Sequence, residues 1–282
     1  MNLAPYVRNK MIGVSLMDVT GWLRKQKSHV ASTTDSLRSP VAQPINSLSL
    51  PDSVLYAILV IIPAFNEENS VGKVIREIPA GLVDEIVVVN NNSNDQTAVE
   101  AALAGATVLD EPSQGYGRAC LKGIAYAHNR QQKPDVVVFI DADYSDYPGE
   151  MTQVVAPILK NEADLVIGSR ALGNRQRGSM TPQQLFGNWL ATTLLRWLYN
   201  VRYTDLGPFR AIRFDKLLAL DMQDKTYGWT VEMQLKAAKH RLRIVEVPVN
   251  YRRRIGFSKI SGTVKGTVLA GYKIITTIFK YW

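Results

Sequence analysis

Residues 136–143 read Val-Val-Val-Phe-Ile-Asp-Ala-Asp, an apolar run that ends in two acidic side chains. The run is β-branched and aromatic without a helical period, and Pro134 precedes it, which indicates a buried strand. Asp141 and Asp143 would then lie at the carboxyl end of that strand. Ligands bind at this edge in open α/β sheets, and two carboxylates there suit a hard divalent cation that also holds phosphate oxygens.

Three further apolar runs also end in polar residues. They lead into Pro-Ala-Phe-Asn-Glu at 63–67, Asn-Asn-Asn-Ser-Asn-Asp at 90–95 and Gly-Ser-Arg at 168–170. Because the carboxyl ends of parallel strands meet at one edge of a sheet, these ends would build a single pocket with the acidic pair. An Asp-x-Asp alone more often caps a turn, so the convergence carries more weight than the pair itself.

Strand and helix patterns alternate from Leu55 to Ile167. The predicted strands are 58–62, 85–89, 107–109, 136–140 and 165–167. The predicted helices are 66–78, 95–104, one that opens at Gly115 and Gly117 and runs through His128, and 149–161. This alternation predicts an α/β fold with a doubly wound, mostly parallel sheet. Beyond it come a polar loop at 173–181, helices at about 182–200 and 230–240, and a late strand at 244–249.

The length and the charge of the chain limit the classes of function that it can have. A chain of 282 residues with 46% hydrophobic content can bury one sizeable core. The net charge of +8 is concentrated at the carboxyl end, where Lys and Arg residues between 236 and 282 are opposed only by Glu246. Membrane headgroups, a phosphorylated substrate or nucleic acid would suit this region, as would a simple solvated basic face.

The chain shows three predicted parts: an amino-terminal extension at 1–52, an α/β domain at 53–261 and a tail at 262–282. The extension is Ser/Thr-rich and poor in acids, and we expect it to be disordered; a transit peptide or misassigned upstream sequence would also fit. No run approaches the roughly 18 apolar residues that span a bilayer. The single cysteine, Cys120, fits a reducing compartment, so we expect a cytoplasmic location.

The tail predicts a basic amphipathic helix. Its lysines fall on one arc of a helical wheel, while Tyr272, Phe279 and Trp282 cluster on another. Such a helix can lie in a membrane interface on the cytosolic face, or it can pack on the domain.

Taken together, the motifs resemble family 2 glycosyltransferases of the GT-A fold, in the branch of dolichyl- and polyprenyl-phosphate sugar transferases. The resemblance covers about residues 55–262. It is carried by Pro63–Glu67, Ser93–Thr97, Gln114–Ala119, Asp141–Asp143, Gly168–Arg170, Asp205, Gly207, Phe209, Arg210, Glu232, Glu246–Pro248, Arg253, Gly256, Ser258 and Lys259.

The resemblance implies a nucleotide-sugar donor and a Mg²⁺ or Mn²⁺ ion held by Asp141 and Asp143. The metal would neutralise charge on the departing nucleoside diphosphate. The residues implied in nucleotide-sugar binding are Pro63, Ala64, Glu67, Asn91, Asp95, Gly115, Gly117 and Asp141. The glycines would let backbone approach the nucleotide closely.

One departure from the family concerns Asn90 and Asn91. The family usually has an Asp-Asp pair there, whereas an amide also donates and carries no charge. The identity of the bound nucleotide is therefore open, with GDP-mannose and UDP-glucose as the types to consider.

The implied acceptor is a polyprenyl phosphate. A phosphate monoester carries about −1.5 to −2 charge at neutral pH, so it can attack without a base. We expect Arg170, Arg253, Ser258 and Lys259 around it, because guanidinium groups bind phosphate bidentately. A sugar hydroxyl acceptor would need a base, for which Asp205 and Glu232 are the candidates.

Rival classes fit less well. A haloacid-dehalogenase-type phosphatase would need its acidic strand to open the domain, and a dinucleotide enzyme needs Gly-x-Gly-x-x-Gly where this chain has Pro63-Ala64-Phe65. A nucleic-acid binder would need an aromatic and basic platform, which is not evident. A non-catalytic nucleotide-sugar-binding protein stays open, although intact Asp141 and Asp143 argue against it.

Overall fold

The computed structural model describes residues 56–256 and 264–281, with side chains from residue 268 onward in the last segment. The chain divides into two units, 1–53 and 54–282, and every described residue belongs to the second. The predicted extension at 1–52 lies outside the described residues, as do Ser258, Lys259 and Trp282.

The described residues form a seven-stranded sheet with the spatial order β3-β2-β1-β4-β6-β5-β7. The strands are β1 (Ile58–Ala64), β2 (Glu85–Asn90), β3 (Thr107–Asp110), β4 (Val136–Phe139), β5 (Leu165–Ser169), β6 (Arg210–Arg213) and β7 (Ile244–Pro248). Strand β6 runs antiparallel to both of its neighbours, and the other pairings are parallel. The predicted mostly parallel α/β fold is confirmed.

Helices connect the strands. Those described are α1 (Val71–Glu77), α2 (Thr97–Leu103), α3 (Tyr116–Asn129), α4 (Met151–Leu159), α5 (Pro182–Tyr199), α6 (Phe214–Ala219), α7 (Trp229–Lys239) and α8 (Val264–Lys280). Helix α1 begins at Val71 rather than at the predicted Asn66, because Asn66 adopts a left-handed backbone with φ of 54°. The capping box of Thr181 and Gln184 fixes the start of α5 where the sequence predicts it.

The core lies on both faces of the sheet. Val60 and Ile61 are adjacent and fully buried, yet they belong to clusters on opposite faces, and Val138 and Phe139 repeat the pattern in β4. Burying one such side chain contributes about 1.5–3 kcal/mol. A strand without a solvent face reads as a continuous apolar run, which is why β1 and β4 are recognisable from sequence.

Strand β6 has no counterpart among the predicted strands. Its sequence, Arg-Ala-Ile-Arg, carries a charge at each end and shows no apolar run. Arg210 is nevertheless fully buried, because its guanidinium donates to the carbonyl oxygens of Gly207 (3.0 Å) and Thr230 (3.1 Å). The strand therefore depends on acceptors that only the folded chain supplies.

Helix α8 packs against α5 and α7. Its Ile278 is fully buried, and the hydroxyl of Tyr199 donates to the Ile278 carbonyl oxygen (2.5 Å). Lys273 pairs with the buried Asp224 at 3.1 Å, so this lysine faces the protein. In the part of the chain that the structure describes, no helix has the length and apolar character needed to cross a membrane.

Candidate active site

A pocket of about 280 Å³ opens at the carboxyl ends of β1, β2 and β4. Predicted site residues that line it are Pro63, Ala64, Glu67, Asn91, Gly115, Asp141 and Asp143. Residues without a predicted role also line it: Phe65, Gln114, Tyr116, Ala142, Tyr227 and Arg254. The predicted convergence of distant strand ends is present for β1, β2 and β4, whereas Gly168, Ser169 and Arg170, at the end of β5, do not line this pocket.

A larger and more open hollow of about 750 Å³ lies beside Glu85, Tyr126 and Arg130. Glu85 is the first residue of β2, so this hollow lies at the amino ends of the strands. Glu85 pairs there with Arg130 and accepts from Tyr126 (2.7 Å). We place the site at the opposite edge, where ligands bind in parallel sheets and where the acidic pair lies.

Asp141 and Asp143 are held by different partners. The hydroxyl of Tyr116 donates to Asp141 at 3.0 Å, while Asp143 accepts from the Ser145 backbone N–H at 2.9 Å and from the Ser145 hydroxyl. Burial and the charge of Asp143 raise the pKa of Asp141 to about 7. Burial and Asp141 also raise the pKa of Tyr116, so this phenol stays a hydrogen-bond donor.

The donor set fits a divalent cation shared with a ligand. Among the described residues, no three Asp, Glu, His or Cys side chains converge as a complete metal site. Mg²⁺ typically takes one or two carboxylates and completes its shell with waters and substrate phosphates. Asp141 and Asp143 supply that number, and a cation between them would relieve the repulsion that raises the Asp141 pKa.

Asn91 shapes the wall of the pocket. Its amide nitrogen donates to the carbonyl oxygens of Glu111 (3.2 Å) and Ser113 (2.7 Å), and its Oδ1 accepts from the Gly115 N–H (2.7 Å). A carboxylate could not donate to those two carbonyl groups. The asparagine that departs from the family pattern therefore fixes the 111–115 loop.

Gly115 and Gly117 are also required by close approach of another part of the backbone. A Cβ on Gly117 would lie 2.0 Å from the Asp224 carbonyl oxygen, and one on Gly115 would lie 2.2 Å from that of Lys225. Gly115 also has φ of 151°, which favours glycine. The close approach is therefore made by the 224–226 segment, and Gly117 N–H donates to Thr226 (3.3 Å).

Asp95 stands outside the residues that line the pocket. Its carboxylate accepts from the backbone N–H groups of Thr97 (3.0 Å) and Glu68 (3.3 Å). It thereby anchors the turn after β1, which carries Glu67 into the pocket.

Arg170 and Asp205 form a buried bidentate pair. Nε and one terminal nitrogen of Arg170 each lie 2.7 Å from an Asp205 oxygen, and the Arg170 backbone N–H adds a third contact at 2.8 Å. Burial alone would raise the pKa of Asp205, but the guanidinium holds that pKa below its ordinary value. Neither residue lines the pocket, and both oxygens of Asp205, a candidate base in the sequence, are engaged by Arg170.

Glu232 also lies outside the pocket lining. Its fully buried carboxylate accepts from the backbone of Gln223 (2.9 Å) and Asp224 (2.7 Å), from Tyr281 (2.7 Å) and from Lys236 (2.8 Å). These contacts join α7 to the end of α8. Both oxygens of Glu232, a candidate base in the sequence, are engaged in this junction.

Three consecutive arginines have three different surroundings. Arg252 stacks between Tyr144 and Tyr147, with its guanidinium carbon 3.4 and 4.2 Å from the ring centres. Arg253 is exposed and donates to the Arg177 carbonyl oxygen (2.9 Å). Arg254 alone of the three lines the pocket. The sequence points to Arg253 as an anion ligand, but the backbone turns Arg254 toward the acidic pair.

Comparison with known proteins shows the family to which the chain belongs. The family model described as "Glycosyl transferase family 2" matches residues 59–220, more than half of the chain. The chain is similar to an uncharacterized glycosyltransferase of Mycobacterium tuberculosis, with 36% identity over 222 residues that cover 76% of this chain and 94% of the relative. It is also similar to the undecaprenyl-phosphate mannosyltransferase of Micrococcus luteus, with 30% identity over 74% of this chain and 89% of that protein.

The fold is similar to that of glucosyl-3-phosphoglycerate synthase from Mycobacterium tuberculosis, solved with phosphoglyceric acid. The TM-score is 0.64 at 25% identity, and the match covers 80% of each chain. The chain belongs to glycosyl transferase family 2, it has the GT-A fold, and it is a glycosyltransferase.

Proposed function

We propose that the protein transfers a hexose from a nucleoside diphosphate sugar to a polyprenyl phosphate, with inversion at the anomeric carbon. The observation that carries the proposal is the shared pocket of Asp141 and Asp143 at the sheet edge. The likeness to an undecaprenyl-phosphate mannosyltransferase supports the lipid acceptor. The inverting outcome follows the family resemblance, and GDP-mannose and UDP-glucose are the donor types to test first.

Mg²⁺ or Mn²⁺ is part of the proposal. Asp143 and Asp141 would hold the ion, which when bound neutralises charge on the leaving diphosphate. Tyr116 keeps the Asp141 carboxylate oriented by its hydrogen bond, and Ser145 does the same for Asp143. Pro63 and Ala64 lie in the wall beside them, where we expect the nucleoside to bind, and Asn91 holds the 111–115 loop that forms part of the same wall.

The contacts of the two candidate bases, Asp205 and Glu232, favour a phosphate acceptor. Asp205 is engaged by Arg170 and Glu232 by four donors, so neither carboxylate is free to take a proton. A phosphate monoester is already anionic at neutral pH and needs no base. Catalysis then consists of positioning the two substrates and stabilising the leaving group.

Helices α5 and α8, which pack together, supply a surface for the membrane that would hold such an acceptor. Helix α5 exposes Phe186, Trp189 and Trp197, and α8 exposes Val268, Leu269, Tyr272 and Phe279. The stretches 165–204 and 247–282 contain no Asp or Glu, so anionic headgroups meet only neutral or basic side chains there. We place the enzyme at the cytosolic membrane face on this surface.

A soluble phosphorylated acceptor is the second candidate. The observation that favours it is the likeness to the glucosyl-3-phosphoglycerate synthase solved with phosphoglyceric acid. Both acceptors carry a phosphate that basic side chains could bind, but an acceptor that attacks through a hydroxyl would in addition need a base.

The test is transfer from labelled GDP-mannose or UDP-glucose, with Mn²⁺, to undecaprenyl phosphate in detergent or to 3-phosphoglycerate. We expect transfer to the lipid, and a loss of about 100-fold or more in Asp143→Asn. The matched control is Asp215→Asn, since Asp215 is an exposed acid of α6 that pairs with Lys216 at 3.0 Å. Equal background signals in wild type and Asp143→Asn would overturn the proposal, and product only with 3-phosphoglycerate would select the second candidate.

A further inference from the structure

Arg254 bridges two acidic residues that come from different strand ends. One terminal nitrogen of its guanidinium lies 3.1 Å from Asp143 Oδ2, and the other lies 2.8 Å from Glu67 Oε1. The bridge spans the pocket from the turn after β1 to the acidic pair after β4. The guanidinium of Arg254 therefore pairs with the same Asp143 oxygen that a metal ion would need.

The backbone fixes this placement. The N–H of Ile255 donates to the Asp143 carbonyl oxygen (3.0 Å), and the N–H of Arg252 donates to that of Ser145 (2.9 Å). Residues 252–255 thus run beside 143–145, and the intervening Arg254 side chain is delivered to the pocket. Arg252 is locked between two tyrosine rings, which holds the segment in register.

The guanidinium keeps unused capacity for an anion. Among the described residues, nothing accepts a hydrogen bond from the buried Arg254 Nε. A buried donor without an acceptor is costly, and movement of the guanidinium away from Asp143 would let a diphosphate oxygen accept from it. Guanidinium groups stay charged and bind phosphate through two N–H groups at once.

We propose that Arg254 is the internal counter-ion of Asp143, that it competes with bare metal for this carboxylate, and that it releases Asp143 when the cation arrives with a nucleoside diphosphate. The inference rests on the proposed function, because it assumes that a metal and a diphosphate meet in this pocket. Its consequence is an order of binding: Mn²⁺ binds weakly alone and strongly with the nucleotide.

The proposal predicts that one substitution changes two affinities in opposite directions: the affinity for Mn²⁺ alone and the affinity for a nucleotide with Mn²⁺. In Arg254→Met, Mn²⁺ alone should bind about fivefold more tightly, because Asp143 loses a partly exposed ion-pair partner. The same variant should bind UDP or GDP with Mn²⁺ about fivefold more weakly or worse, because the diphosphate loses a guanidinium. A residue that merely supports the fold would weaken both.

The experiment measures Mn²⁺ binding to the full chain by electron paramagnetic resonance, with and without UDP or GDP. Arg76→Met is the matched control, since Arg76 is an exposed arginine of α1 and its loss removes the same charge. Arg254→Lys keeps the charge and should leave the affinity for Mn²⁺ alone near the wild-type value. Arg254→Gln provides a second neutral variant if Arg254→Met does not fold.

Unchanged or weaker binding of Mn²⁺ alone in the neutral variants would overturn the inference while leaving the proposed function intact. Absence of nucleotide-dependent Mn²⁺ binding in wild type would instead count against the proposed function.

Discussion

The hydroxyl of Tyr116, at the start of α3, lies 3.0 Å from Oδ1 of Asp141, at the end of β4. The bond joins the glycine-containing turn to the acidic pair, and it stabilises the ionised form of a carboxylate whose pKa burial and Asp143 raise to about 7. We therefore expect this hydrogen bond to affect how strongly Asp141 binds a metal ion near neutral pH.

Replacing Tyr116 by Phe should raise the pKa of Asp141 further, because the hydrogen bond that lowers it is lost. Less of Asp141 is then ionised at pH 7, so Mn²⁺ with UDP or GDP should bind more weakly there and recover as the pH rises. Binding titrations from about pH 6 to about pH 9 measure the shift. A wild-type pH profile in Tyr116→Phe would contradict this account of the bond.

Asn91→Asp tests the departure from the family pattern. The new carboxylate would face the carbonyl oxygens of Glu111 and Ser113 with no N–H to give them. We expect a loss of about 1–3 kcal/mol in the free energy of unfolding, measured by urea denaturation. Wild-type stability with tighter nucleotide binding would show instead that the amide faces the ligand and not the loop.

The buried carboxylate of Asp146 should make the folding stability of the protein depend on pH. This carboxylate is buried, and within the described part of the chain neither oxygen has a hydrogen-bond partner. Burial, followed by the charge of Asp141, raises the pKa of Asp146 well above the ordinary value. The folded protein then holds a proton that the unfolded chain releases, so stability falls as the pH rises above the ordinary Asp range.

Asp146→Asn should flatten that dependence and be more stable than wild type at about pH 8. Thermal unfolding at about pH 5 and about pH 8 measures both effects. A variant less stable than wild type at the higher pH would mean that the carboxylate is ionised and useful in the folded protein.

The exposed aromatic side chains of α5 lead us to expect that the protein binds membranes through this helix. Changing Phe186 and Trp189 to Ser together should weaken sedimentation with anionic phospholipid vesicles by about tenfold, because two exposed aromatic anchors are lost. The melting temperature should not fall, since both side chains are exposed. Leu103→Ser is the control, because Leu103 is an exposed apolar residue of α2. Equal vesicle binding by the double variant would remove α5 from the proposed surface.

Deleting α8 would not be a clean test of its membrane contact. Ile278 is buried, and Tyr281 donates to the buried Glu232 at 2.7 Å, so deletion would also expose the core and open the junction with α7. Substituting the exposed Tyr272 and Phe279 isolates the surface contribution.

Much of the site can be predicted because its residues follow recognisable strands. The run at 136–140 can only be a buried strand, so the positions of Asp141 and Asp143 at the sheet edge follow from local pattern. The same holds for Pro63, Ala64 and Asn91, each of which lies in or directly after a strand of the same parallel group.

The roles that could not be predicted depend on partners far along the chain. Asp205 and Glu232 look like bases in the sequence, yet Arg170 occupies one, and Lys236, Tyr281 and two backbone N–H groups occupy the other. Sequence shows which groups can ionise but not which of them find a counter-charge, because that depends on packing between separate elements.

The sequence by itself determined the α/β fold, the glycosyltransferase family and the acidic pair at the sheet edge, since each follows from short-range periodicity and motif order. The tertiary structure decided that Arg254 and not Arg253 meets Asp143, and that Gly117 makes room for the Asp224 backbone. Neighbouring side chains of a segment without helical structure point in different directions, and only the contacts of 252–255 with the 143–145 loop select which one enters the pocket.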